Sequence, residues 1–88
     1  MNTLFLLMSE FNSIHVPIEH VATKYLSLSR REAMERANKN TLPFPVFRGS
    51  ESRKAPMLVD LRDVANWLDK IRMVHKKDWE QLQNQEEV

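Results

Sequence analysis

Five side chains between residues 30 and 39 are of the types that read nucleic acid: Arg30, Arg31, Glu35, Asn38 and Lys39. An arginine guanidinium can bond both acceptors on a guanine edge, an asparagine amide matches adenine, and a carboxylate can accept from the cytosine amine. Arg31, Asn38 and Glu35 are the candidates for those roles. Arg30 and Lys39 suit phosphate, a contact that adds affinity without sequence information. A second set, Arg48, Ser50, Ser52, Arg53 and Lys54, follows in a short polar stretch, with Arg53 and Lys54 again fitted to phosphate. Charged runs are commonly only a solvated helix face, so the weight of this chemistry depends on the elements that carry it.

Those elements can be read from spacing. Ser29-Arg30-Arg31-Glu32 is a capping box, in which the serine oxygen takes the amide three residues on and the glutamate reaches back. It predicts a helix over 30–39, with Ala33, Met34 and Ala37 on one face and Arg31, Glu35, Asn38 and Lys39 on the opposite one. Ahead of it, Pro17 fits the first position of a helix. Ile18, Val21, Ala22, Tyr25 and Leu26 form a one-sided apolar stripe, which predicts a helix over 17–26. Ser27-Leu28 leaves a two-residue break between the two.

Behind them, Leu42–Arg48 and Pro56–Asp60 are β-prone runs flanking the polar loop 49–55, which holds the only glycine. The pattern reads as a hairpin, and Pro45, lacking a ladder donor, places the first strand at an edge. Asp60 can cap a last helix, with Asp63 in its first turn. There Leu61, Val64, Leu68 and Ile71 alternate by threes and fours, His75 and Leu82 keep the register, and Asp78 interrupts it. At the other end, the apolar run Leu4–Met8 is too short for periodicity to separate strand from helix. Its brevity and the polar Asn12-Ser13 beyond it favour a strand. Gln81–Val88 is polar and predicts a frayed end.

Two short helices, a tight break and then a hairpin give the order of a small α+β winged helix-turn-helix, whose second helix enters the major groove. Here it would carry a short N-terminal strand, a β-hairpin wing and a long C-terminal helix. Residues 1–72 form the DNA-binding domain in this reading, and 73–88 a helical extension and tail. A formal net charge of +1 over 88 residues, taken as a total, speaks against a polyanionic partner. Its distribution says the opposite. Residues 24–54 hold eight basic and three acidic side chains, a net of +5, while the rest holds five basic and nine acidic, a net of −4. The field at contact distance is set by charges within a Debye length of about 8–10 Å, so a cationic face survives a near-neutral total.

Composition excludes much else. Without cysteine there is no disulfide framework and no thiolate zinc site or nucleophile. One glycine cannot build a glycine-rich phosphate loop. The five-residue run Leu4–Met8 is too short for a membrane span or a signal-peptide core. His15, His20 and His75 lack the spacing and the acidic companions of a metal site. Asp60 and Asp63 read as helix caps and not as a catalytic pair. No enzyme activity, cofactor or metal is expected. Phe5, Phe11, Tyr25, Phe44 and Phe47 read as core or hairpin packing. Trp79 lies past what a core this small can cover; with Val74 and Leu82 it is a candidate contact with a second subunit, and a fold back onto its own domain is the equally simple alternative.

Several segments also carry a family likeness. Thr3–Phe11, Val16-Pro17-Ile18-Glu19, Leu42–Arg48 (LPFPVFR), Lys54-Ala55-Pro56 and Val59–Ala65 resemble the pyocin activator protein family, over about residues 2–72. Ser52-Arg53-Lys54 departs from the Ser-Gln-Lys of that family's wing. The resemblance implies a small bacterial DNA-binding activator of phage-tail-like bacteriocin genes, similar to the winged-helix excisionases of phages and integrative elements. An excisionase that bends attachment-site DNA is the alternative it carries. A protein-binding adaptor using helix 61–82, with no DNA role, is the alternative of another kind. The expected partners are double-stranded DNA, with RNA polymerase a further candidate, and a second copy as homodimer or cooperative oligomer on DNA. No membrane is expected, and the expected location is the bacterial nucleoid in the cytoplasm.

Overall fold

In the computed structural model, which describes residues 2–86, the order is α1 (Thr3–Phe11), β1 (His15–Pro17), α2 (Ile18–Tyr25), α3 (Arg30–Asn38), β2 (Phe47–Arg48), β3 (Met57–Asp60) and α4 (Leu61–Glu86). The architecture is small α+β with a long C-terminal helix. The N-terminal run corrects the expectation of a strand: Thr3–Phe11 is helical. Asn2 caps it by accepting from the Phe5 N–H at 3.1 Å, and Asn12 closes it in the left-handed conformation at φ 56°. Leu4, Leu7 and Phe11 then fall on the face turned to the core, and the Thr3 hydroxyl donates to Asp69 of α4 at 2.6 Å. Phe5, expected to pack, is instead 63% exposed on the outer face. The strand near this end is His15–Pro17, which follows the helix.

Helices α2 and α3 appear where the stripe and the capping box place them, α2 shorter by one residue at each end and α3 by one at its C-terminal end. Pro17 occupies the cap position before α2 and not its first turn. Both halves of the box are made: Glu32 N–H donates to the Ser29 hydroxyl at 3.1 Å, and Ser29 N–H to the Glu32 carboxylate at 3.3 Å. The break is wider than two residues, spanning Leu26–Ser29, because Ser27 turns the chain at φ 55°. Leu28 drops back into the core there, and its N–H bonds the Ala22 carbonyl at 3.2 Å. Ala33 and Ala37 are the buried residues of α3, and their small side chains let it approach α2 closely. Asn40, at φ 54°, ends the helix, with the Thr41 N–H on the Arg36 carbonyl at 3.0 Å.

The sheet has the order β1-β3-β2 and is antiparallel throughout. Val16 faces Val59, and Leu58 is shared between Pro17 on one side and Phe47 on the other. The first hairpin strand is an edge, as expected, but only two residues long, and Pro43 and Pro45, which have no N–H to offer a ladder, lie outside it. On β3, Met57 and Val59 point into the core. That core joins Leu7, Val16, Ile18, Val21, Ala22, Ala33, Ala37, Met57, Val59, Leu61 and Val64. Phe44 seals one side, meeting the Trp67 ring edge-on at 5.5 Å.

Helix α4 does two things in succession. Leu61, Val64 and Ala65 are buried and Trp67 and Leu68 half-buried, whereas residues 69–84 are all exposed. Twenty-six residues make a rod about 39 Å long, which gives the molecule its 60 Å long axis against 28 and 17 Å for the others. The frayed end expected from Gln81 is helical as far as Glu86, and Glu87 and Val88 lie outside the described residues. No helix among the described residues is long and apolar enough to cross a membrane.

Candidate nucleic-acid interface

Helix α3 commits almost nothing but two alanines to the interior. Arg30, Arg31, Glu35, Asn38 and Lys39 are all exposed, and at 100° per residue Arg31, Glu35 and Asn38 share the side away from Ala33 and Ala37. The Arg31 side chain is 89% exposed and donates from Nε to Glu35 at 3.3 Å. Such an exposed pair four residues apart is worth only about 0.3–0.5 kcal/mol, so the guanidinium is free to exchange this partner for a stronger acceptor. Toward the start of the helix, hydrogen bonds from Ser29 hold the Glu32 carboxyl below its ordinary pKa, which keeps a negative charge at the positive end of the helix dipole. Lys39 occupies the cap position at the other end, where a cation is favoured. Arg36, outside the set read from the sequence, adds a further exposed cation in the last turn.

The hairpin loop differs in character from the helix. Ser50 and Ser52 turn their hydroxyls onto the backbone, accepting from the Ser52 N–H at 3.3 Å and the Lys54 N–H at 3.2 Å. These serines shape the loop, and Arg53 and Lys54 project from it exposed. Arg48 is placed otherwise. It is half-buried on β2, with its Nε enclosed and unpartnered, so its reach toward solvent is shorter. The loop and α3 share one support. Both hang from the same core, α3 through Ala33 and Ala37 and the hairpin through Met57 and Val59.

The base of the hairpin is fixed by a group that sequence spacing identifies only as a cap. Asp60, at the junction of β3 and α4, accepts from the Arg62 N–H at 2.8 Å and from the Arg62 guanidinium at 2.7 Å through Nη2. His15 of β1 meets the same oxygen, Oδ2, that takes the guanidinium Nη2, at 3.2 Å, and the His15 ring meets Phe47 of β2 edge-on at 5.3 Å. All three strands therefore converge on this point. The Arg62 guanidinium foremost, then the Arg62 N–H and His15, hold the Asp60 carboxyl far below the usual aspartate pKa despite its partial burial. A carboxyl whose pKa is depressed by folding adds stability above its unfolded value near 4, and that stability is lost as the pH falls from there toward the folded value. We therefore expect Asp60→Ala to cost about 1 kcal/mol at neutral pH through loss of the cap. Asp60→Asn, which keeps an acceptor for the cap, should show a shallower loss of melting temperature below about pH 4 than the native chain. An acid limb as steep in Asp60→Asn as in the native protein would mean that Asp60 contributes nothing to it.

Of the remaining candidates, Val74, Trp79 and Leu82 stand exposed on the free part of α4, away from the helix and loop just described. Among the described residues no three His, Asp or Glu side chains gather as a metal site would need. A surface hollow of about 500 Å³ lies between the start of α1 and the first half of α4 and touches neither α3 nor the hairpin loop.

A family model described as "Pyocin activator protein PrtN" matches residues 3–74, which takes in α1 through the packed part of α4. No curated protein and no solved structure gives a match.

Proposed function

Because the chain belongs to the pyocin activator protein family, a family of regulatory activators, we propose that it binds double-stranded DNA as a winged helix-turn-helix. In this reading α2 and α3 are the helix pair, α3 lies in the major groove, and the loop after β2 is the wing on backbone or minor groove. Transcription of bacteriocin genes is the output, at the bacterial nucleoid, with RNA polymerase and a second copy of the chain as the further partners. The observation that carries this is the polar face of α3. A helix that buries only Ala33 and Ala37 spends its remaining surface on Arg31, Glu35 and Asn38, whose chemistry matches base edges. Arg30, Lys39, Arg53 and Lys54 supply the phosphate contacts that steer and hold the duplex. An excisionase needs the same elements, and no particular side chain here favours it over an activator.

A gel-shift series in salt, using duplexes from a bacteriocin promoter and a scrambled control, tests this. Neutralising several phosphates makes affinity fall steeply, by about 10³-fold or more between 50 and 200 mM salt for six or more contacts. The promoter duplex should also be bound more tightly than the control at every salt concentration. Absence of binding to either duplex at 50 mM salt would leave the adaptor reading, through helix 61–82, in its place.

A further inference from the structure

The free half of α4 is not evenly polar. At 100° per residue, Ile71, His75, Asp78 and Leu82 line one strip, with Val74 and Trp79 on its flanks. Lys76, Lys77 and Glu80 fall on the far side. The apolar members are substantially open to solvent, from 38% for Ile71 to 60% for Trp79 and Leu82. The helix is continuous to Glu86, so the strip does not fold back onto its own domain.

We infer that this strip pairs with the same strip of a second copy, antiparallel, about a two-fold axis between Lys76 and Lys77. The spacing 71, 75, 78, 82 runs in steps of four, three and four, and reads the same in reverse. Turning one helix about that midpoint sets Ile71 opposite Leu82 and His75 opposite Asp78, each pair occurring twice, as a two-fold interface requires. Apolar residues meet apolar ones, and an imidazole meets a carboxylate. The parallel arrangement would instead set Asp78 against Asp78 and His75 against His75, stacking like groups in the seam. The palindromic spacing and the imidazole–carboxylate match thus select both the occupant, a second identical chain, and its direction. Val74 and Trp79 stand at one level on opposite edges and widen the apolar contact. The paired length from Ile71 to Leu82, about 17 Å, brings together far fewer residues than the roughly 20–30 a side of a stable interface. The dimer therefore exchanges in free solution and is held when two copies share a duplex.

This inference rests on the pairing of copies proposed above and does not depend on DNA binding. Sedimentation equilibrium of the full chain, from about 10 to 500 µM, should show an average mass rising from 10.4 kDa toward twice that value. The native chain has no cysteine, so single cysteines report orientation cleanly. Ile71→Cys and Leu82→Cys chains, each oxidised alone, should cross-link little, because like positions lie about 16 Å apart in the antiparallel pair. Mixed in equal amounts, they should give the cross-linked heterodimer in at least about fivefold higher yield. A mass that stays at one chain at the highest concentration overturns pairing and register together. A dimeric mass with each variant cross-linking to itself overturns the antiparallel register and leaves pairing standing.

Discussion

Leu61→Ala should cost about 2–5 kcal/mol of stability, against a total of roughly 4–13 kcal/mol for a chain of this size. Leu61 is fully buried at the first turn of α4, its N–H bonded to the Ile14 carbonyl at 2.8 Å. It lies at the junction where β3 becomes α4, so the void left by the lost carbons opens inside the segment that joins hairpin to helix. The melting temperature should fall by roughly 8–40 °C, and binding to DNA should be lost at temperatures where the native chain still binds. Met73→Ala is the comparison. Met73 is 47% exposed on the free part of the same helix, and its removal should change stability by no more than about 0.5 kcal/mol. Thermal unfolding of the two variants side by side checks the claim. Equal losses would mean that the free half of α4 is packed in solution.

Arg31→Ala should weaken binding to a cognate duplex by about 1–3 kcal/mol, and to random duplex by much less, if its guanidinium reads a base. Nothing in the fold depends on this side chain. Its one partner, Glu35, is exposed too, so unfolding should be unchanged while specificity drops. Lys54→Ala should behave in the opposite way. It should weaken cognate and random duplexes alike and flatten the salt dependence by about one unit of slope, as the loss of one phosphate contact does. Titration of both variants against both duplexes at two salt concentrations separates the roles. Parallel losses on cognate and random DNA for the two variants would erase the distinction between reader and anchor.

Where local chemistry and tertiary packing ask for the same thing, the fold is legible in the residues. The Ser29–Glu32 box, the stripe on α2 and the cap at Asp60 all specify their elements by short-range rules. The N-terminal segment shows where such rules fail. Leu4–Met8 taken alone has no period, and it resolves as a helix only when Asn2 is counted as a cap and Phe11 as the next inward position. Even so, Phe5 and Leu6 remain outside, so hydrophobicity is no guide there to burial. The width of the α2–α3 turn is hidden for another reason: a serine takes the left-handed conformation at Ser27, where glycine would have announced it. At the candidate site, the exposure of Arg31, Glu35 and Asn38 follows directly from helix periodicity. The convergence of His15, Asp60 and Arg62 does not, because Asp60 meets His15 across 45 residues of chain and only strand register brings the two together.

The unbroken course of α4 has a consequence for how two copies would act together. From Ala65 in the core to the midpoint between Lys76 and Lys77 is about 17 Å of helix, so two arms meeting there would hold their domains roughly 35 Å apart. One turn of duplex DNA is about 34–36 Å. A flexible tether tolerates many separations, whereas a rod with no hinge allows only a narrow range of distance and angle. The effective concentration of the second domain would then be high at one rotational phase of the duplex and negligible half a turn away. On that geometry the arm acts as a gauge of helical phase, and promoter spacing becomes part of what is recognised.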